Sequence, residues 1–160
     1  MTVGDVAGRR MTVDIEGDFV VFLIGAGFNS KLHLARSFAD LGGRRGMKHM
    51  LDYLVAHPEK GLLAYEIGIP TIVQYWRSFE QLEAFAKDKD DPHLDVWRRY
   101  WRRVGRSGRT GIWHETFLVK AGNYEAIYGN MPPRGLGKAG RLVPASDADS
   151  ARSRLKALHA

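Results

Sequence analysis

From residue 19 to residue 24 the chain reads Phe-Val-Val-Phe-Leu-Ile, apolar at every position and without alternation. That pattern belongs to a strand covered on both faces and predicts the first, central strand of a sheet. Gly25, Gly27, Asn29 and Ser30 break it. Ser30 is placed to cap a helix in which Leu34, Phe38 and Leu41 recur at helical spacing, until Gly42 and Gly43 end it. Met47, Met50, Leu51, Leu54 and Val55 then form the apolar stripe of a second helix over about residues 44–56, stopped by Pro58. Residues 62–67 and 71–77 return to strand character on either side of Gly68-Ile69-Pro70, which predicts an antiparallel hairpin with Trp76 and Tyr75 on opposite faces.

Ser78-Phe79-Glu80-Gln81 is a capping-box sequence opening a helix with Leu82 and Phe85 inward. Asp91 and Pro92 suit the N-cap and first turn of the next helix, where Leu94, Trp97, Trp101 and Val104 share a stripe and His93 shares a face with Trp97 and Tyr100. Residues 112–119 are then β-branched or aromatic at almost every position, and residues 124–128 resemble them beyond an Ala121-Gly122-Asn123 turn. The expectation is a long fourth strand with a continuation, ending near Asn130 because Pro132 and Pro133 have no N–H to donate. Alternation places Ile112, His114, Thr116 and Leu118 on one face, and Trp113, Glu115, Phe117 and Val119 on the other.

Strand, helices, strand, strand, helices, strand is the order of an α+β, ferredoxin-like split βαβ fold. A four-stranded sheet with helices on one side leaves a bare face, and a second copy in a homodimer is the expected cover. The expected boundaries are a loose tail at residues 1–10, one domain over 11–138, and a C-terminal tail at 139–160, loose or weakly helical. Met11-Thr12-Val13 repeats Met1-Thr2-Val3, so Met1 and Met11 are alternative starts.

With 160 residues the chain can bury a sizeable core without staples. The absence of cysteine excludes disulfides, thiolate metal sites and a cysteine nucleophile, and suits a cytoplasmic location. Asp14, Glu16 and Asp18 stand between Arg9-Arg10 and the apolar run, where an export signal avoids acids, and the run is too short for a bilayer. The net charge of +6 is concentrated in Arg98, Arg99, Arg102, Arg103, Arg106 and Arg109 and in the tail after Pro133. No nucleic-acid module accompanies it, so a solvated helix face is expected, with neither nucleic acid nor membrane as partner. Gly25-Ala26-Gly27 lacks the third glycine of a dinucleotide fingerprint, and His33, His49 and His57 are not spaced as metal ligands.

Several separated motifs carry a resemblance: Val73-Gln74-Tyr75-Trp76-Arg77-Ser78-Phe79-Glu80, residues 93–100, Gly111-Ile112-Trp113-His114-Glu115-Thr116, and Tyr124-Glu125 through Asn130-Met131-Pro132-Pro133. In these the chain, over about residues 11–138, resembles an uncharacterised bacterial "monooxygenase-like" family within the dimeric α/β-barrel superfamily. The resemblance implies that fold and a homodimer. Other members of the superfamily are cofactor-independent antibiotic-biosynthesis monooxygenases and haem proteins such as chlorite dismutases, dye-decolourising peroxidases and aldoxime dehydratases. The cofactor is thus none or haem, and His93 resembles in placement the axial histidine of the haem members.

His114 is the first candidate for catalysis, since an imidazole titrates near neutral pH and suits proton transfer, with His93 the second. Trp76, Trp97, Tyr100, Trp113, Tyr128 and Asn130 are the candidate substrate-binding residues, the rings suited to a planar ligand and Asn130 to orienting it. Glu115 is expected to pair with Arg77 or another cation. The leading expectation is a small homodimeric monooxygenase-like oxidoreductase acting on a hydrophobic or aromatic molecule between sheet and helices. The alternatives are a haem enzyme of the same fold, peroxidase-like or aldoxime-dehydratase-like, and a non-enzymatic small-molecule-binding dimer.

Overall fold

The computed structural model describes residues 8–30, 37, 39–41, 46–105, 107–145 and 150–158. In chain order the elements are β1 (Arg10–Asp14), β2 (Phe19–Phe28), α1 (Met47–Ala56), β3 (Leu62–Ile67), β4 (Thr71–Trp76), α2 (Phe79–Lys87), α3 (Pro92–Val104), β5 (Thr110–Val119), β6 (Tyr128–Gly129), β7 (Arg141–Pro144) and α4 (Ala151–Leu158). Most of the helix expected from Ser30 falls outside the described residues, but Ser37, Ala39 and Asp40 are helical.

The main sheet has the order β3-β4-β2-β5, antiparallel throughout. With helices between β2 and β3 and between β4 and β5, this is the ferredoxin-like split βαβ arrangement. β2 is central, as its unbroken apolar run requires, and pairs with β5 along ten residues from Phe19↔Val119 to Phe28↔Thr110. Directly opposed residues share a face. Val20, Phe22 and Ile24 therefore lie on the helix side with Leu118, Thr116 and His114, while Val21, Leu23 and Gly25 lie on the other with Phe117, Glu115 and Trp113.

On the helix side, Val20 and Trp76 pack against Met50 and Leu54 of α1 and Leu82 and Phe85 of α2. Trp76 is wholly buried, and its indole N–H donates to Gln74 Oε1 at 2.9 Å. Ser78 caps α2 by accepting from the Gln81 backbone N–H at 3.2 Å, so half of the expected capping box is formed. The Gln81 side chain instead donates to the Glu59 carbonyl. Asp91 occupies the N-cap of α3 without capping it: its buried carboxylate accepts from the Tyr53 hydroxyl at 2.6 Å and from Lys60 Nζ at 2.9 Å, tying α1 to the start of α3.

The opposite face departs from expectation. The segment after Gly122 does not continue β5; residues 123–127 are irregular, and β6 pairs with β1 in a second sheet of order β6-β1-β7. Backbone from residue 10 and from residues 141–144 thus belongs to a sheet, where loose chain was expected up to residue 10 and loose or weakly helical chain after residue 138. Val13, Ile15 and Tyr124 of this layer close over Phe19, with Val21, Tyr75 and Val119 around them. The chain thereby covers part of the sheet face that a second copy was expected to cover. Trp113 and Phe117 on that face remain 40% and 49% exposed. No helix among the described residues is long and apolar enough to cross a membrane.

Trp76 carries the helix-side core, so Trp76→Ala is expected to cost about 3–5 kcal/mol of folding stability, read as a lower urea midpoint. A midpoint within error of the wild type would show that the core does not depend on it.

Candidate functional site

Helix α3 bears aromatic residues at positions 97, 100 and 101, and its register against β5 decides what they do. Tyr100 is buried, and its hydroxyl donates to the Thr110 carbonyl at 2.8 Å, which fixes the helix to the first residue of the strand. Burial, with a smaller contribution from the Asp40 carboxylate, raises the Tyr100 pKa and keeps the phenol protonated. Trp97 stacks on Tyr100 with centroids 5.9 Å apart, and Trp101 stands edge-on to both. Trp97 and Trp101 are 40% and 51% exposed, so the apolar stripe of α3 is only half covered.

The uncovered half borders a hollow of about 300 Å³. Its walls include Trp97, Tyr100 and Trp101 from α3, Thr110 and Ile112 from β5, and Asn29 at the end of β2. Asn29 closes that end twice: its backbone N–H donates to the Arg109 carbonyl and its side chain to the Gly108 carbonyl, both at 2.9 Å. The Thr110 hydroxyl is buried and has no hydrogen-bond partner among the described residues. An aromatic wall set beside the Asn29 amide, the Thr110 hydroxyl and loop backbone is the chemistry of a site for a flat molecule that carries polar groups.

His114 lies on the helix-side face of β5, in line with Thr110 and Ile112 and about 7 Å along the strand from Ile112. Its ring is exposed and leans on Phe22, centroids 5.4 Å apart. His93 sits one turn before Trp97 on α3. Its Nδ1 lies 2.9 Å from the Ala86 carbonyl, which can only accept, so Nδ1 carries the proton and Nε2 is the free nitrogen. No hydrogen bond or ring contact joins His93 to His114 among the described residues.

The other expected site residues are dispersed. Trp76 is sealed in the core, where packing accounts for it. Trp113 lies on the opposite face, its ring laid over Gly25 so closely that a Cβ there would stand 2.5 Å from it. Tyr128 also belongs to that side. Asn130 takes a left-handed backbone conformation, φ 51°, and its side chain accepts from the Gly8 N–H at 2.7 Å, just ahead of β1. The expected Arg77–Glu115 pair is not formed: Arg77 donates to the Glu16 and Asp18 carbonyls at the β1–β2 turn, and Glu115 is exposed and makes no ion pair among the described residues. Asn29 and Thr110 carry no motif, and only the pairing of β2 with β5 reveals them as parts of the hollow. Among the described residues no three histidine or acidic side chains gather as metal ligands.

The fold and the hollow define a ferredoxin-like domain with an aromatic recess beside its sheet, and similarity to known proteins gives its family. The chain belongs to the monooxygenase af470-like family, matched over residues 19–136. It is 31% identical over 132 residues to monooxygenase af470 of Aspergillus fumigatus, an alignment covering 77% of this chain and 46% of that protein. The chain thus spans about half the length of that relative. The fold is similar to that of the aldoxime dehydratase OxdRE crystallised with butyraldoxime, with a TM-score of 0.58 and 19% identity, covering 79% of this chain and 38% of that one. The expected family and fold are both borne out.

Burial depresses the His93 pKa below its ordinary 6.5, against a smaller upward pull from the Ala86 carbonyl. The folded protein therefore binds this proton less readily than the unfolded chain. Stability should hold above about pH 6.5 and fall as the pH drops from there toward the folded value. In urea titrations at about pH 7.5 and about pH 5.5, His93→Gln should lose less stability on acidification than the wild type. Equal losses would show that His93 does not contribute to the acid limb.

Proposed function

We propose that this protein is a monooxygenase-like oxidoreductase that binds a hydrophobic, aromatic small molecule in the hollow between α3 and β5. The observation that carries this reading is the aromatic wall of Trp97, Tyr100 and Trp101 facing the same sheet surface as His114. The family match supports the reaction class. His114 takes a proton from an acidic carbon of the substrate. The carbanion passes one electron to dioxygen, the two radicals combine to a peroxide, and loss of water leaves a carbonyl. One oxygen atom ends in the product and the other in water, and the substrate supplies every electron. Trp97 and Trp101 hold the ring system, and Tyr100 keeps that wall in place through Thr110.

A homodimer completes the reading. Trp113 and Phe117 form an apolar strip on edge strand β5, on the sheet face that the chain's own second sheet leaves bare, and a second copy of that face is its cover. Phe117→Asp should then shift the sedimentation of the protein from dimer to monomer, whereas a wild type that sediments as a monomer contradicts the assembly.

The haem reading requires an axial ligand and a slot beside it. His93 offers Nε2 with Nδ1 held by a carbonyl, as a ligand histidine often is. It lines neither the hollow at α3 nor the open cavity on the opposite face. Among the described residues no slot for a haem opens beside His93, and no step is derived through that group.

Oxygen uptake with anthrone, a flat tricycle with an acidic methylene, tests the proposal. His114→Ala should lower kcat by about 100-fold or more with little change in KM, since the exposed ring is not part of the core. Trp97→Ala should raise KM. Full turnover in His114→Ala would remove its assigned role, and anthrone binding without oxygen uptake would favour a non-enzymatic binding protein.

A further inference from the structure

The sheet face opposite the helices carries a broad, open cavity of about 470 Å³, on the other side of the sheet from the hollow at α3. Phe19, Val21 and Val119 form its apolar floor. Its roof is the turn at residues 134–136, held down by Glu66, which accepts from the Gly135 N–H at 2.9 Å and pairs with Lys138 at 2.8 Å. Burial would raise the Glu66 pKa, but Lys138 and the Gly135 N–H outweigh it, so the clasp is ionised.

Two phenols point to what the cavity takes. Tyr75 and Tyr128 line it from β4 and β6 and are close enough to feel each other's charge. The turn can lie over them because it is glycine-rich: a Cβ at Gly135 would stand 3.1 Å from the Tyr75 hydroxyl, and one at Gly137 2.8 Å from the Tyr128 ring. The turn therefore lies directly against both phenol oxygens. Neither hydroxyl donates a hydrogen bond among the described residues. Burial raises both pKa values, so both protons are retained at neutral pH.

The charge balance at the rim is positive. Glu125 lines the cavity but is paired with Arg154. Arg134 lines it too, largely exposed, and its one ion pair is a loose 3.6 Å contact with Glu66, whose other oxygen already serves Lys138 and Gly135. Two phenol donors and a guanidinium over an apolar floor match a molecule with an apolar ring at one end and a carboxylate at the other.

We infer that this cavity is a second ligand site, distinct from the hollow at α3, which binds an aromatic carboxylate through Tyr75, Tyr128 and Arg134. The ring lies on Phe19, Val21 and Val119, and the carboxylate accepts from both phenols and from Arg134.

Calorimetric titration with 2-naphthoate and its neutral amide tests this, with amide NMR shifts to locate the ligand. The wild type should bind 2-naphthoate with a dissociation constant of about 1 mM or tighter, and bind the amide more weakly. The Leu136 and Gly137 amides should shift. Tyr75→Phe and Tyr128→Phe remove only an oxygen, and each should weaken naphthoate binding about tenfold while hardly affecting the amide. Arg134→Gln should weaken it severalfold. No binding by the wild type, equal binding by the Phe variants, or shifts confined to the Trp97 and Ile112 side would each overturn the inference.

Discussion

The ten-residue pairing of β2 with β5 is the constraint on which the rest depends. Side chains alternate with a period of two, so a slip of one residue would exchange the two faces of β5. In the observed register Thr110, Ile112 and His114 look toward the helices, and Trp113 lies flat over Gly25 on the other side. The Trp113 ring occupies the space that any side chain at position 25 would need, so one glycine in β2 helps to hold the register. The pairing also leaves β5 at the sheet edge, and so leaves His114 reachable from solvent.

The two faces then serve different purposes. On the helix side the sealed core around Trp76 provides rigidity, and the aromatic residues of α3 beyond its edge stay partly open. The bond from Tyr100 to the Thr110 carbonyl joins these zones by fixing the open part of α3 to the strand that presents His114. On the other side a small second sheet folds over Phe19 and Tyr75 and encloses polar groups with the apolar ones. Ligand-sized space therefore exists on both sides of one sheet, with rings and an imidazole on one side and phenols with a guanidinium on the other.

Much of the main sheet and its helices was legible because their signals are local. The apolar run of β2, the hairpin around Gly68-Ile69-Pro70, the Ser78 cap and the alternation that separates His114 from Glu115 can each be read within a few residues. The second sheet was not legible. β1, β6 and β7 are short, and each is stabilised by partners more than a hundred residues away in the chain, so residues 124–128 looked like a continuation of their nearest strand. The site was legible in part for the same reason. Trp97, Tyr100 and His114 follow from helical and strand periodicity. The bond from Asn130 to Gly8, the use of Arg77 at the β1–β2 turn and the enclosure of Trp76 depend on tertiary neighbours that composition and spacing do not report.

The four tryptophans report on three distinct environments: Trp76 in the core, Trp97 and Trp101 together on the α3 wall, and Trp113 on the opposite face. Their indole N–H resonances followed during a titration with anthrone test most directly whether the aromatic hollow is the binding site. Binding there predicts progressive shifts of the Trp97 and Trp101 indoles while those of Trp76 and Trp113 stay in place. Shifts of Trp113 alone, or none at saturating anthrone, would contradict the account.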